Sequence, residues 1–415
     1  MPPEPTRSLW RHPDFMRLWF GQTVSLLGSQ VTLLALPLTA ILVFKANAFQ
    51  VGILSTVEFL PFALLGLPVG VWVDRLPRRP ILIATNLGRF AVMGSVPLAY
   101  ALGILHLAQL YVVGFLSGVG TVFFDIAYVP YVPSLVSRDR LVEANAKLEM
   151  SRSGAELGGP GIAGLLVQGL SAPGAILADA ASYLASVASL LAIRAREIPV
   201  VRPVGEPERM RRQIGEGLRF VARNRLIRPV VGGVIIGNLF LQMGQVCLLL
   251  FAVRALHLSP GRIGVLLSLG SAGMLFGALV AERISTRIGI GPTIVAGAFI
   301  VGLGGVFVPL ATPGSATALL LAYGLVATFG GVIFSVNGRS LLQAATPDRI
   351  LGRAFATHRF ISWGVIPIGA FLGGVLGTHL GLRTTLWIAA AGEMAAFLPP
   401  LLSPVRTLRR LPVAP

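Results

Sequence analysis

Charge is scarce in this sequence. Asp, Glu, Lys and Arg make up 12% of its 415 residues, while 54% are apolar. Ordinary soluble domains carry about 25% charged residues, so a chain this poor in charge cannot clothe a water-facing globule. Acidic residues are the rarest: 17 Asp and Glu stand against 34 Lys and Arg, a formal net charge of +17. Such a basic excess suits nucleic acid or a membrane surface. The arginines do not gather on a polar domain, and no zinc-finger or RNA-binding signature interrupts the apolar runs, so nucleic acid is not an expected partner.

Cysteine is nearly absent. The one residue, Cys247, lies inside an apolar run, which excludes an intramolecular disulfide framework and a cysteine metal cluster and leaves it as a small core hydrophobe. The five histidines, His12, His106, His257, His358 and His379, are scattered at the ends of apolar runs. No GxxxxGK[ST], HExxH or GxSxG motif occurs, so direct ATP drive, zinc hydrolysis and a serine-hydrolase elbow are not expected. The reading is of a chain that is not an enzyme and needs neither metal nor cofactor.

What the sequence does have is long apolar runs. Cutting at charge and at Pro/Gly clusters leaves twelve candidate spans, at 18–44, 50–73, 81–103, 107–132, 153–171, 174–193, 229–253, 262–282, 291–311, 316–338, 360–379 and 383–403. A helix needs about 20 residues to cross the hydrocarbon layer; the fifth and eleventh spans are the weakest. Lipid cannot satisfy backbone N–H and C=O groups, and these runs are too uniformly apolar for barrel strands, so an all-α polytopic membrane protein is predicted. The first run exceeds a signal-peptide core and is expected to stay as an anchor.

Basic residues fall on alternate connections: Arg7, Arg11 and Arg17; Arg75, Arg78 and Arg79; Arg138, Arg140, Lys147 and Arg152; then a dense series from Arg194 to Arg228. The other side keeps Lys45, Arg254, Arg262 and Arg383. The positive-inside rule then places both termini in the cytosol of a multi-pass protein of the plasma (inner) membrane. Residues 194–228 form the one long polar stretch and divide six spans (1–193) from six (229–415). Within it IGEGLRFVARN reads as a short amphipathic helix on the membrane surface, with Ile214, Leu218 and Val221 on one side.

The halves repeat. Asp139-Arg140-Leu141 matches Asp348-Arg349-Ile350 about 209 residues on, GGPGIAGLLVQGL meets VIPIGAFLGGVLG, and Asp74-Arg75 has Glu282-Arg283 as its counterpart. Each match is short, but they share one register.

Between the second and third spans stands GVWVDRLPRR, in which Gly70, Asp74, Arg75, Arg78 and Arg79 fill the best-known signature of the major facilitator superfamily, with Pro77 where glycine is commoner. The chain resembles that superfamily, which implies twelve helices in two pseudo-symmetric six-helix halves. The physics suits a gate latch. Gly70 would let helices approach closely, Asp74 would sit at a helix end, and the arginines would stay among headgroups. A further stretch, SRSGAELGGPGIAGLL, places Gly159-Pro160, followed by Ala163 and Gly164, in the fifth span. This resembles the exporter motif of the twelve-helix drug:proton antiporter branch, which includes macrolide and enterobactin exporters. Ala155 stands where that motif usually has glycine, and the fourth-helix arginine of many antiporters is missing.

An ionisable side chain within the bilayer is costly, which makes each one a functional candidate. Arg89 and Asp125 lie about 12 Å deep on neighbouring antiparallel helices and could pair, either structurally or as a switch. Glu58, near Pro61, is a candidate proton carrier, interhelical contact or cargo contact. Glu156 is expected to pair with Arg152 one turn back. Asp179 is expected to cap a helix or face water near the outer end of the sixth span; Glu393, deep in the twelfth, has no assigned role. By the resemblance, the first helix of each triplet lines the cavity, which makes Gln22, Ser25, Ser29, Tyr128, Asn238, Gln242, Gln245 and Tyr323 cavity candidates; interhelical hydrogen bonds are the equal alternative.

The expectation is a monomeric secondary transporter that exports a hydrophobic or amphipathic small molecule by alternating access, with the proton gradient as energy source and protons and membrane lipid as its other partners. The alternatives are a lipid or lysolipid flippase of the same fold and a membrane receptor or scaffold that moves nothing.

Overall fold

A computed structural model describes residues 9–73, 76–195, 197 and 210–412, and every regular element among them is helical. The first half contains α1 (Pro13–Leu42), α2 (Ala48–Val73), α3 (Arg78–Ala101), α4 (Leu107–Leu135), α5 (Leu141–Leu170) and α6 (Ala172–Ala192). The short helix α7 (Met210–Arg223) follows. Then come α8 (Ile227–Arg254), α9 (Pro260–Gly270), α10 (Ala272–Ile288), α11 (Ile290–Leu310), α12 (Ala316–Ala344), α13 (Leu351–Gly364), α14 (Ile366–His379), α15 (Leu382–Ala395) and α16 (Leu398–Leu401).

Among the described residues, 10 segments are long and apolar enough to span a membrane, with α9–α10 counted as one and α13–α14 as another. The expected fifth and twelfth spans are not among them, for two different reasons. Helix α5 has 30 residues, ample length, but Glu143, Lys147, Glu149 and Arg152 charge its first half, and Glu156, Pro160, Gln168 and several glycines lower the apolarity of the rest. Helix α15 ends after 14 residues, and Pro399 and Pro400 follow in the four-residue α16, where they remove backbone donors. The eleventh span, weak by sequence, does meet the requirement as α13 and α14, which meet at Val365 just before Pro367.

Contacts group the chain into two compact units. The first takes Met1–Lys45, Leu60–Arg202 and Pro260–Val265, and the second Ala46–Phe59, Pro203–Ser259 and Leu266–Pro415. In the first, α1 packs on α5 and α6, and α3 on α4 and α6, with Phe15, Leu18, Leu82, Tyr131 and Leu190 in one buried cluster. In the second, α8 packs on α14 and α15, and α11 on α12 and α15, with Ile227, Ile294, Leu341 and Val405 buried together.

Backbone geometry repeats between the halves. Only three non-glycine residues among those described have positive φ: Lys45 (φ 52), His257 (φ 54) and Ser171 (φ 79). Lys45 and His257 follow α1 and α8, the first long helix of each half. Ser171 caps α6 with φ 79 and ψ 160, and Gly381 caps α15 with φ 85 and ψ 158. Left-handed backbone is uncommon outside glycine, so its recurrence at matched places marks a structural duplication. One-turn 3₁₀ segments, Arg138–Arg140 and Asp348–Ile350, likewise lead into α5 and α13.

Helix α7 is a helix where the sequence places one; Val221 is buried in the second unit's cluster and Leu218, one turn before it, is 41% exposed. The helix also packs on α13. Glu216 pairs with Arg353, and a Cβ at Gly217 would lie 2.9 Å from the Arg353 carbonyl oxygen. The Ile214 side chain lies outside the described residues.

With lipid on one side and a helix on the other, apolar side chains gain little by changing neighbours, and close backbone approach supplies the cohesion. A Cβ at Gly52 would come within 2.6 Å of the Gly374 Cα, and one at Gly270 within 2.7 Å of the Gly324 Cα. At Gly302 it would overlap the Met394 backbone. Gly302→Leu is therefore expected to lower stability by about 1–3 kcal/mol or more through overpacking. Cys247, fully buried, is the sole thiol and serves as the reporter. The variant should expose it to a thiol-reactive dye at a lower temperature than the wild type; an unchanged onset would contradict this α11–α15 contact.

Candidate functional site

Helix α6 carries a polar stripe, Asp179, Ser182, Tyr183 and Ser186, at the spacing of one helical face. All four residues are at most 4% exposed. The Asp179 carboxylate accepts from Thr32 of α1, from the Ser182 hydroxyl (3.2 Å) and from the Tyr183 hydroxyl (3.2 Å). Gly28 makes the room: a Cβ there would lie 2.7 Å from Asp179 Oδ1. The expectation that Asp179 caps a helix or faces water is thus overturned. Its own helical phase turns it onto α1, where three hydroxyls replace solvent.

Arg89 of α3 belongs to the same cluster. It donates to Asn86 Oδ1 and, at 3.5 Å, to Thr121, and Asn86 in turn donates to Ser186 (2.9 Å). Its guanidinium lies over the rings of Phe124 (4.7 Å) and Tyr183 (4.4 Å), and its charge acts on Asp179. A Cβ at Gly120 would be 2.8 Å from Arg89 Cγ, so glycine gives this side chain its slot. Sequence depth alone paired Arg89 with Asp125. In the structure Asp125 acts electrostatically on Arg152 and Tyr128. Depth along a helix does not fix the side facing a neighbour, and Arg89 faces α6.

Of the signature after α2, Asp74 and Arg75 lie outside the described residues. Gly70 does not mark a close approach, because an added Cβ there would meet no described atom within 4 Å. Arg79 ties the ends of two helices together, donating to the carbonyls of Leu190 and Leu191 at 3.1 Å each. The Arg78 N–H donates to both oxygens of Glu197 (2.9 and 2.8 Å) and the Arg79 N–H to Oε2 (3.2 Å), which makes Glu197 the anionic cap of α3. Sequence reasoning missed Glu197; an acid among the arginines at the start of the basic linker was its only signal. Asp14 repeats the device, accepting from the N–H groups of Arg194 (3.1 Å) and Ala195 (2.9 Å).

The Gly159-Pro160 motif sits at real close contacts within the first unit. A Cβ at Gly159 would lie 2.5 Å from Gln30 Cβ of α1, and one at Gly164 2.9 Å from Gly264 Cα of α9. Gln168 accepts from the Gly261 N–H at 3.1 Å beside them. Glu156 pairs with Arg152 at 2.9 Å on a half-exposed face.

The cavity candidates divide. Ser29 bonds Tyr183 and so joins the α1–α6 cluster, and Ser25 is buried. Asn238 donates to the Ser362 carbonyl at 2.8 Å, an α8–α13 contact. Gln242 packs against α14, where a Cβ at Gly369 would be 3.2 Å from its own Cβ. Gln245 donates to the Tyr323 hydroxyl at 3.2 Å, linking α8 to α12. Gln22 Oε1 and the Tyr128 hydroxyl are buried without a partner. Interhelical bonding therefore accounts for Ser29, Asn238 and Gln245, while Gln22 and Tyr128 keep unmet polar capacity. Glu58 is half-buried and has no hydrogen-bond or ion-pair partner among the described residues. Glu393 is 4% exposed, and its Oε2 has no partner among the described residues.

Residues 6–413 match the sequence profile of the transmembrane secretion effector family, a major facilitator family. The chain is 23% identical over 403 residues to macrolide efflux protein A of Streptococcus pyogenes, covering 95% of this chain and 97% of that one. It is 24% identical over 392 residues to the multidrug efflux pump Tap of Mycolicibacterium fortuitum (90% and 93% covered). It is 25% identical over 417 residues to the enterobactin exporter EntS of Citrobacter koseri (97% and 95% covered). Among solved structures, a bacterial homologue of the iron transporter ferroportin in its inward-facing state superposes with a TM-score of 0.76 at 17% identity, covering 95% of this chain and 99% of that one.

Because Arg89 and Asp179 are buried together, removing one should cost more than removing both. Asp179→Asn is expected to lower stability by about 3 kcal/mol, since it leaves a buried cation uncompensated. Arg89→Met combined with Asp179→Asn should recover at least half of that loss. Thermal unfolding of the two single variants and the double variant checks this, and strictly additive losses would contradict the coupling.

Proposed function

Since the chain belongs to the transmembrane secretion effector family of major facilitator transporters, we propose that it is a proton-coupled exporter of a hydrophobic or amphipathic small molecule, working by alternating access. The observation that carries export is its near full-length likeness to relatives named as efflux proteins. The contacts at Gly159, Pro160 and Gly164 support the same direction. Pro160 removes one backbone donor from α5, and the flanking glycines seat that weak point against α1 and α9, so a bend there would fall at a helix interface.

The cargo class follows from the shortage of free polar groups. Serines and amides are largely spent on neighbouring helices, which leaves few donors or acceptors to recognise a sugar or a peptide. Gln22 and Tyr128 are two of the five buried side chains of the first unit with an unpartnered polar atom among the described residues, beside Arg78, Arg89 and Tyr131, and we assign these two cavity candidates to cargo contact. Glu58 is the proton candidate retained from the sequence, half-buried and without a compensating cation. Arg152–Glu156 is too exposed for that work, and pairs of this kind contribute little. The basic connections favour a protein of the plasma membrane with cytosolic termini. A monomer suffices, because both halves of the duplicated unit lie in one chain.

The test is accumulation of a panel of fluorescent dyes and antibiotics in efflux-deficient cells. The wild type should lower accumulation of at least one apolar compound, while Asp74→Asn and a protonophore should each reduce that export about tenfold or more. A panel on which the wild type has no effect, or export indifferent to the protonophore, would overturn this reading.

A further inference from the structure

The two halves treat their intramembrane acids differently. At the 210-residue offset that relates Ser171 to Gly381, Asp179 corresponds to Ala389 and Tyr183 to Glu393. The acid has thus moved one helical turn, into the place of a tyrosine. The cation has gone as well, because the same offset puts Phe299 in the place of Arg89.

The surroundings of Glu393 are glycine and apolar side chains. A Cβ at Gly305 of α11 would stand 2.9 Å from its Oε2, and one at Gly244 of α8 would stand 3.8 Å from its Oε1. The carboxyl group therefore fills space left by two missing side chains. Beside it lies a cavity of about 20 Å³, walled by Leu241, Leu248, Val308, Tyr323 and Ala389. One water molecule needs roughly 10–15 Å³ of such volume. Tyr323 is the titratable group close enough to act on Glu393, and its hydroxyl already accepts from Gln245.

Among the described residues, no cation is placed to balance a charge there. Helix α11 has no ionisable residue. On α8 and α15 the basic groups are Arg228, Arg254 and Arg383, all near helix ends. Arg254 donates to the Ala46 carbonyl and Arg383 to the Ala311 carbonyl. The one ionisable residue of α14, His379, is exposed at its C-terminus, and Arg339 of α12 is exposed more than four turns from Tyr323. A carboxylate in this setting would be a buried ion with neither partner nor solvent, whereas a carboxylic acid needs only one acceptor.

We propose that Glu393 is a proton-binding site of the second unit in addition to Glu58, a neutral acid that exchanges its proton through a single water in the cavity beside Tyr323. In the cycle, the Glu393 O–H bond breaks toward that water and reforms from it, so one proton is bound and one released with no other reactant. The role of this exchange in coupling rests on the proton-driven export proposed above. The binding site itself does not.

Infrared spectroscopy of the purified full-length protein decides the binding site. At neutral pH the wild type should show the carbonyl stretch of a protonated carboxylic acid. Glu393→Gln should lose that component, and Tyr323→Phe, which leaves the acid in place, should shift it. A wild-type spectrum without the band, or a band unchanged in both variants, overturns the proposal. The Cys247 thermal profile shows whether each variant is folded. Protonophore sensitivity of export in cells then tests coupling. Glu393→Gln should export at a rate the protonophore no longer changes, and retained sensitivity overturns the coupling role. A wild type that exports nothing would count against the proposed function alone, since the infrared result stands without it.

Discussion

The hydrocarbon interior offers no water, so every polar group buried there must find its partner within the protein. That constraint explains why the described chain is helical and why its helix contacts are built on glycine. It also explains why each intramembrane charge has its own local arrangement. Where two helices meet at Gly164 and Gly264, or at Gly52 and Gly374, the backbones come close enough for dispersion to replace a hydrophobic drive that lipid does not provide. Glycine serves the charges too. Gly28 admits Asp179, Gly120 admits Arg89, and Gly305 admits Glu393.

The two units meet the constraint in opposite ways. In the first, Asp179 is surrounded by three hydroxyl donors with Arg89 nearby, and Arg89 is held between two aromatic faces. That network ties α1, α3 and α6 together and leaves only Arg89 Nε of its members without a partner among the described residues. In the second, Glu393 meets glycine, a small cavity and one tyrosine. A duplicated fold has thus kept its backbone, down to the left-handed residues Lys45 and His257, while its buried chemistry has diverged. The first cluster links three helices through hydrogen bonds, while Glu393 Oε2 has no partner among the described residues, which is why we propose it as the group that changes protonation.

Much of this was legible in the sequence. Apolar runs located the helices because burial in lipid requires length and uniform apolarity, and both are one-dimensional properties. The repeat was legible for the same reason, as was the Arg152–Glu156 pair, which is local. What the sequence concealed was direction around each helix. Arg89 and Asp125 have matching depths, yet Arg89 faces α6. Ser29 lies on a cavity-like stripe, yet bonds Tyr183. Asp179 near an outer end suggested water, although its spacing with Ser182, Tyr183 and Ser186 already marked a buried stripe. Glu197 was hidden because a cap is defined by the helix end it reaches across the fold, and Gly70 because a motif position does not disclose what faces it. Ten of the twelve expected spans are long and apolar enough among the described residues; the fifth is diluted by glycine, Glu156 and Gln168, and the twelfth is divided ahead of Pro399 and Pro400.

Proton-driven flux is tested with purified protein in liposomes, using an imposed pH gradient as the only energy source and following an apolar fluorescent cargo and internal pH together. Cargo should move against its own gradient while protons move the other way, and both fluxes should stop when the pH difference is collapsed. Cargo movement that ignores the pH difference, or a pH difference that decays no faster when cargo is added, would contradict proton drive.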